Sequence, residues 1–469
     1  MSMWKVEVVS HASIKPSSPT PPHLRTHHLS WLDQASCPHP FKLIFFYSDA
    51  SVEPAAKALS LLKSSLSETL TLFYPAAGRL NPNDVSVVNC DDQGVELFEA
   101  RASPDAPLSK ILDRGIDYDD LTQFLPPTGP SQSSPALLSL QVTVFASCGG
   151  MSVGGCFSHK LFDAHSAAEF VKAWAYVARD GGGGCSTALV PPPPLFDAAS
   201  RFVPPSPGPL DLPSVDTPKE KIVAKRFVFE EVAIQALRKS PVDQDHPIPP
   251  PPPSKTVAVT ALLWRCCIRA REVQLATAAS EEPKRRAAWV ALVVVNIRGK
   301  AAAEPSLPDN LIGNICCMAT ATADASKASE KEEKRRMEED LRSGIRRVDA
   351  EMVRRLQGVD GFSVAAEPFN DATGKLVAAG YDDINYFMLS SWSRFPLYEA
   401  DFGWGRPAWV APVWTLLKNV VVSMGRGGEV GGLEVWVSLE EDMMAEFERD
   451  VELISYTRPG FYKPPADPY

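Results

Sequence analysis

Apolar residues recur at helical spacing from Val52 to Leu72 and stop at Tyr74-Pro75, which predicts a helix there. Val85–Cys90 and Val95–Phe98 read as short strands separated by the turn Asp91–Gly94. Leu138–Ala146 is rich in apolar and β-branched residues and runs into Cys148-Gly149-Gly150, so Met151–Phe157 is expected as its hairpin partner. Asp163–Val177 carries an apolar face at Ala167, Phe170, Val171, Trp174 and Val177. Thr256–Cys267 and Ser329–Leu356 read as helices. Trp289–Asn296 is a continuous apolar run rich in valine and reads as a buried strand. Asn419–Ser423 and Leu433–Leu439 flank a Gly-rich hairpin, and Glu440–Val451 closes as a helix. Strands and helices alternate throughout, which predicts an α/β or mixed α+β class with two sheets.

Proline divides the chain. The sequence has 469 residues and 43 prolines. Pro191–Pro194, Pro204, Pro205, Pro207 and Pro209 follow the tetraglycine Gly181–Gly184, and fixed φ with missing donors makes this an extended connector. Pro247–Pro253 reads as a loop inside the second half. The expected organisation is residues 1–189, a linker 190–222, and residues 223–469.

Composition removes several function classes. A net charge of -10 leaves no basic footprint for nucleic acid. The basic stretch Lys331–Arg355 interleaves Glu and Asp, as a solvated helix face does. The nine cysteines are scattered without a CxxC pair, and no apolar run is long enough to span a bilayer. The expectation is a reduced, soluble, cytoplasmic protein with no metal and no membrane partner. A monomer is expected as well.

Two short segments carry candidate chemistry. His159 follows an apolar strand and precedes a helix, with Asp163 four residues on. A neutral imidazole takes a proton from an alcohol near neutral pH, and a nearby carboxylate can fix the loop or hold the ring's tautomer. Taken alone, the pair is equally compatible with an ordinary histidine at a strand end. His23 and His27 share i,i+4 spacing, but Pro21-Pro22 precedes them and no acidic third ligand adjoins, which argues against a metal site. Asp401-Phe402-Gly403-Trp404-Gly405 is a string of mostly uncommon residues in which two glycines permit a tight turn around Trp404. Asp401 could pair with a buried arginine. A kinase reading of Asp401-Phe402-Gly403 fails, because no Gly-rich phosphate loop and no His-Arg-Asp loop accompany it.

Together His159-xxx-Asp163 and Asp401-Phe402-Gly403-Trp404-Gly405 resemble the two signatures of the plant BAHD acyltransferase family. Leu29-Ser30-Trp31-Leu32-Asp33 resembles its LS-x-x-D segment, Tyr74–Leu80 its YP-x-AGR segment, and Val295–Arg298 with Gly313-Asn314 its VN-x-R and GN segments. Ala164-His165 after the motif aspartate resembles the vinorine synthase-like branch of alkaloid and alcohol acetyltransferases.

The resemblance implies two chloramphenicol-acetyltransferase-like domains, joined by a long crossover loop, with a channel between them. It implies acyl-CoA, with a lean to acetyl-CoA, as cosubstrate and a small hydroxyl acceptor, with no bound cofactor. His159 is then the general base. Asp163, Asp401, Gly403, Trp404 and Gly405 are structural, and Arg298 is the expected partner of Asp401. Ser390 is the candidate oxyanion donor, with Trp392 lining the channel; an ordinary strand residue and a core tryptophan are the alternatives. His165 is expected on the helix surface. N-acylation of an amine or polyamine, and a non-catalytic regulatory role, remain as alternative functions.

Overall fold

A computed structural model describes residues 4–48, 55–105, 107–127, 136–180, 192–205, 220–239, 251–277, 287–300, 307–324, 330–414, 417–427 and 431–459. The tetraglycine, residues 206–219 of the linker and most of the second proline run lie outside them.

Sixteen strands form three sheets among the described residues. In chain order they are β1 (Val6–Ile14), β2 (Thr26–His28), β3 (Phe41–Tyr47), β4 (Arg79–Asn81), β5 (Asp84–Asn89), β6 (Val95–Ala102), β7 (Leu138–Phe145) and β8 (Gly150–Phe157). Then follow β9 (Ile222–Phe229), β10 (Ala287–Asn296), β11 (Cys316–Asp324), β12 (Asp383–Ser391), β13 (Trp409–Trp414), β14 (Val420–Gly425), β15 (Leu433–Glu440) and β16 (Arg458–Pro459). The first sheet has the order β1-β6-β7-β8-β3-β13 and the second β11-β10-β12-β14-β15-β9-β16. A third, small sheet, β2-β5-β4, was not expected.

The β7–β8 hairpin forms as the alternation predicts, with Val142 opposite Val153. Its close packing needs glycine: a Cβ on Gly154 would sit 2.0 Å from the carbonyl oxygen of Phe124. β10 is a central strand, antiparallel to β11 and parallel to β12, which explains its unbroken apolar run. The two short strands expected at Val85–Cys90 and Val95–Phe98 form as β5 and β6, which join different sheets. One expectation fails locally. Ser329–Leu356 is two helices, Glu330–Arg347 and Ala350–Leu356, because Asp349 caps the second by accepting from the Met352 amide.

The two halves exchange parts at their junction. β13, from the end of the chain, pairs with β3 in the first sheet, Trp409 opposite Phe46. Trp31 and Leu32, from the beginning, are buried in the core around the helix Lys255–Thr277. The Trp31 indole donates to the carbonyl of Leu356 at 3.2 Å. Trp392 and Val422, from the second sheet's strands or their ends, are buried in the first core. These exchanges hold the end of β8 against the loop between β10 and β11.

Candidate active site

The loop after β8 is fixed at both ends. Lys160 donates its backbone N–H to the Ser158 hydroxyl, and the amides of Leu161 and Phe162 reach the Ser158 carbonyl. Leu161 and Phe162 are buried in the first core. Asp163 then begins the helix Ala164–Asp180, accepting from the Ser166 amide at 2.7 Å. One apolar anchor pair between a strand end and a helix cap sets the four-residue spacing.

Asp163 also forms the central ion pair of the junction. Arg298, just past β10, donates to it at 2.7 and 3.3 Å, and its side chain is fully buried. The rest of the guanidinium is satisfied by Leu311 O, Gly313 O and the Ser166 hydroxyl. Burial, the largest single effect, would raise the Asp163 carboxyl, but the charge and hydrogen bonds of Arg298, the His165 charge and the Ser166 amide together outweigh it, and the group lies below its ordinary value.

The expected pairing of Arg298 with Asp401 is therefore wrong. Asp401 instead accepts the amides of Gly403 and Gly405, each at 2.9 Å. Both glycines have positive φ, 105° and 94°, so the carboxylate holds a turn that other residues adopt poorly. The turn seats Phe402 against Trp174 and Trp404 against Tyr47, on the first core. Asp401 serves this turn, whereas the Arg298 head is already enclosed by Asp163 and the carbonyls of its own loop.

His159 contacts neither of these carboxylates through a hydrogen bond given by the geometry. Its Nδ1 lies 3.2 Å from Oδ1 of Asn314. The same amide donates from Nδ2 to the carbonyl of His159 at 2.5 Å and to Oδ1 of Asp33 at 3.0 Å. With Nδ2 facing two acceptors, Oδ1 must face the ring, so His159 Nδ1 carries the hydrogen and Nε2 the lone pair. Ser36 donates to the His159 carbonyl at 2.5 Å, and Lys160 Nζ reaches the carbonyls of Gln34 and Ser36. Burial pushes the His159 pKa below 6.5, although hydrogen bonds to Asn314 and Phe162 and the charge of Asp163 pull the other way. Asn314 and Asp33 fall in the GN and LS-x-x-D segments, but spacing alone gave them no role.

An aromatic bridge leads from His159 to the oxyanion candidates. The Phe41 ring lies 4.6 Å from the His159 ring and 5.9 Å from Trp392, centroid to centroid. The Trp392 indole donates to the Ser390 hydroxyl at 2.9 Å. His165 is not on the helix surface: it is buried, its Nε2 2.9 Å from the Asp309 carbonyl, beside Phe395.

A cavity of about 700 Å³ lies beside the helix Trp31–Ala35, walled by Gln34, His27, Tyr74 and Phe196. His159 is not in its wall. Buried His27 packs edge-on against Phe196, and desolvation with the neighbouring His28 lowers its pKa to about 4. It sits in β2 and His23 in the turn Pro22–Leu24 before it.

The fold and the comparisons with known proteins together define an acyl-CoA-dependent acyltransferase. The profile of the Transferase family matches residues 4–454, and the chain belongs to this family, the BAHD acyl-CoA-dependent acyltransferases. It is 33% identical to limonoid 1-O-acetyltransferase of Citrus sinensis, over 96% of this chain and 98% of the relative. It is also 33% identical to stemmadenine O-acetyltransferase of Catharanthus roseus, over 95% and 97%. The crystal structure of vinorine synthase superposes with a TM-score of 0.75 at 30% identity, covering 98% of this chain and all of that one. No helix among the described residues is long and apolar enough to cross a membrane.

Proposed function

We propose that this enzyme transfers an acyl group, acetyl in preference, from acyl-CoA to a hydroxyl of a small specialised metabolite, with His159 as general base. The observation that carries this is the Asn314 contact, which directs the His159 lone pair to Nε2. Relatives named as O-acetyltransferases support the acetyl donor and the hydroxyl acceptor.

In this reading His159 Nε2 takes the proton as the acceptor oxygen attacks the thioester carbon. The carbonyl oxygen becomes an oxyanion, and the Ser390 hydroxyl donates to it. Trp392 suits Ser390 to this, since an oxygen that accepts from the indole keeps its own hydrogen for another partner. Collapse expels the CoA thiolate, which takes the proton from His159 and leaves as the free thiol. No covalent acyl-enzyme forms. Residues 1–189 and 223–469 are the two halves facing the site, with 190–222 as crossover and β13 lent back to the first half. The enzyme works as a monomer in the cytoplasm.

The test incubates purified enzyme with a panel of acyl-CoAs, alcohols and amines and follows CoA release. Acetyl-CoA with an alcohol should give the highest kcat/KM. The His159→Ala variant should lose about a hundredfold or more in turnover. Wild-type turnover in that variant removes His159 from the mechanism, and preference for amines replaces the acceptor class.

A further inference from the structure

We propose that Asp33 is a positioning residue that sets the tautomer of His159 through the side-chain amide of Asn314. The proposal rests on the reading of His159 as general base for its effect on turnover, though not for its effect on the ring.

Asp33 lies in the short helix Trp31–Ala35, capped at Ser30. Its Oδ2 accepts from the Ser30 amide at 3.1 Å and hydroxyl at 2.6 Å. That oxygen completes the capping box. The other oxygen has no part in the cap. It reaches 281 positions along the chain to accept from the Asn314 amide N–H at 2.7 Å and from Nδ2 at 3.0 Å.

Asp33 is only 2% exposed, which a surface cap does not require. Its approach needs a small neighbour: a Cβ on Gly313, at φ 139°, would come within 3.1 Å of Oδ1. Lys160 lies close enough for Asp33 to be the main charge favouring its protonated form, against the opposing effect of burial. A buried carboxylate, a buried amide and a glycine are thus brought together around one hydrogen-bond pattern.

The pattern decides a tautomer. If the Asn314 amide rotated by half a turn, its oxygen would face the Asp33 carboxylate and the His159 carbonyl, two acceptors. Its NH2 would face His159 Nδ1, which would then have to accept. The hydrogen would move to Nε2, and the nitrogen meant to take the substrate's proton would lack a lone pair. The His159 carbonyl opposes this flip as well, each of the two accepting one bond from Nδ2, but Asp33 is the carboxylate of the pair, and the Asn314 backbone N–H holds it in place. Burial raises its pKa above the ordinary value, while hydrogen bonds from Ser30 and Asn314 favour the charged form. Removing that charge weakens the preference without touching the ring.

The test uses the full-length enzyme and four variants: Asp33→Asn, Asp33→Ala, His159→Ala and the exchange Asp33→Asn with Asn314→Asp. The readouts are kcat and KM for acetyl-CoA, melting temperature, and 15N ring shifts assigned to His159 by their absence in His159→Ala. The near-isosteric Asp33→Asn should stay folded and lose roughly tenfold to hundredfold in kcat, the range seen when the hydrogen-bond partner of a metal-bound histidine is removed, with KM nearly unchanged. Its His159 shifts should move from a single Nδ1–H form toward a mixture. The exchange variant keeps one carboxylate and one amide in contact and offers an acceptor to Nδ1, so it should regain the Nδ1–H form.

A folded Asp33→Asn enzyme with wild-type ring shifts overturns the proposal, whatever its turnover. So does an exchange variant no closer to the wild-type ring form than Asp33→Asn. Altered ring shifts together with full turnover in His159→Ala would uphold Asp33's control of the ring and retire the base reading instead. If Asp33→Ala fails to fold, the Asn and exchange variants still decide the matter.

Discussion

Arg298 donates to Asp163 at 2.7 Å, so the aspartate of the first motif ties the loop after β8 to the end of β10. The pair is buried and spans the two halves of the chain. Removing one partner leaves the other charge buried without its counter-ion, at a cost of roughly 3–5 kcal/mol. Asp163→Ala should therefore lower soluble yield and melting temperature together with activity. A variant that melts like wild type would show that the pair adds no stability.

Asp401 should behave differently. Its carboxylate is partly exposed and holds two turn amides, each such bond contributing about 1.5–3 kcal/mol. Asp401→Ala should lower the melting temperature, while the folded fraction keeps turnover and KM near wild type. Active-site titration corrects for the unfolded fraction. A folded variant with lost turnover would give Asp401 a direct part in the reaction.

The acid limb of the kcat/KM profile should lie below pH 6.5. His159 must be neutral to act, and burial lowers its pKa from 6.5. Activity is thus retained at pH 6.5 and lost as pH falls through the lowered value. A midpoint above 6.5 would mean that hydrogen bonds and Asp163 outweigh desolvation at the ring.

Ser390→Ala should depress turnover by about a hundredfold to a thousandfold with KM for acyl-CoA nearly unchanged, as for other single oxyanion donors. Ser390→Thr keeps the hydroxyl and should be tolerated. Equal turnover for Ser390→Ala and wild type would assign the oxyanion to another donor.

His27 should make folding pH-dependent. Its pKa falls from 6.5 to about 4 on burial, so the folded state favours the neutral ring. The stabilisation is complete above pH 6.5 and declines as the unfolded chain takes up the proton between pH 6.5 and about 4. The loss amounts to roughly 3 kcal/mol. Urea titrations across that range should show a shallower pH dependence for His27→Gln. An unchanged slope would place the titrating group elsewhere.

Some of this was legible in residue order because its causes are local. The helix Ala55–Leu72, the β7–β8 hairpin and the buried strand β10 follow from side-chain periodicity, which acts over a few residues. The two motifs were visible because a strand end, two core anchors and a helix cap fix the spacing of His159 and Asp163. Two glycines at positive φ likewise fix the turn after Asp401. Only the tertiary structure decided which charges meet. Arg298 reaches Asp163 across 135 positions, and Asn314 reaches Asp33 across 281. Spacing cannot rank such pairs, because any carboxylate brought to a buried guanidinium satisfies it equally. The return of β13 to the first sheet and the burial of Trp31 in the second core place those partners together. The residue order therefore supplied the reactive groups, and packing between the halves determined their hydrogen-bond partners.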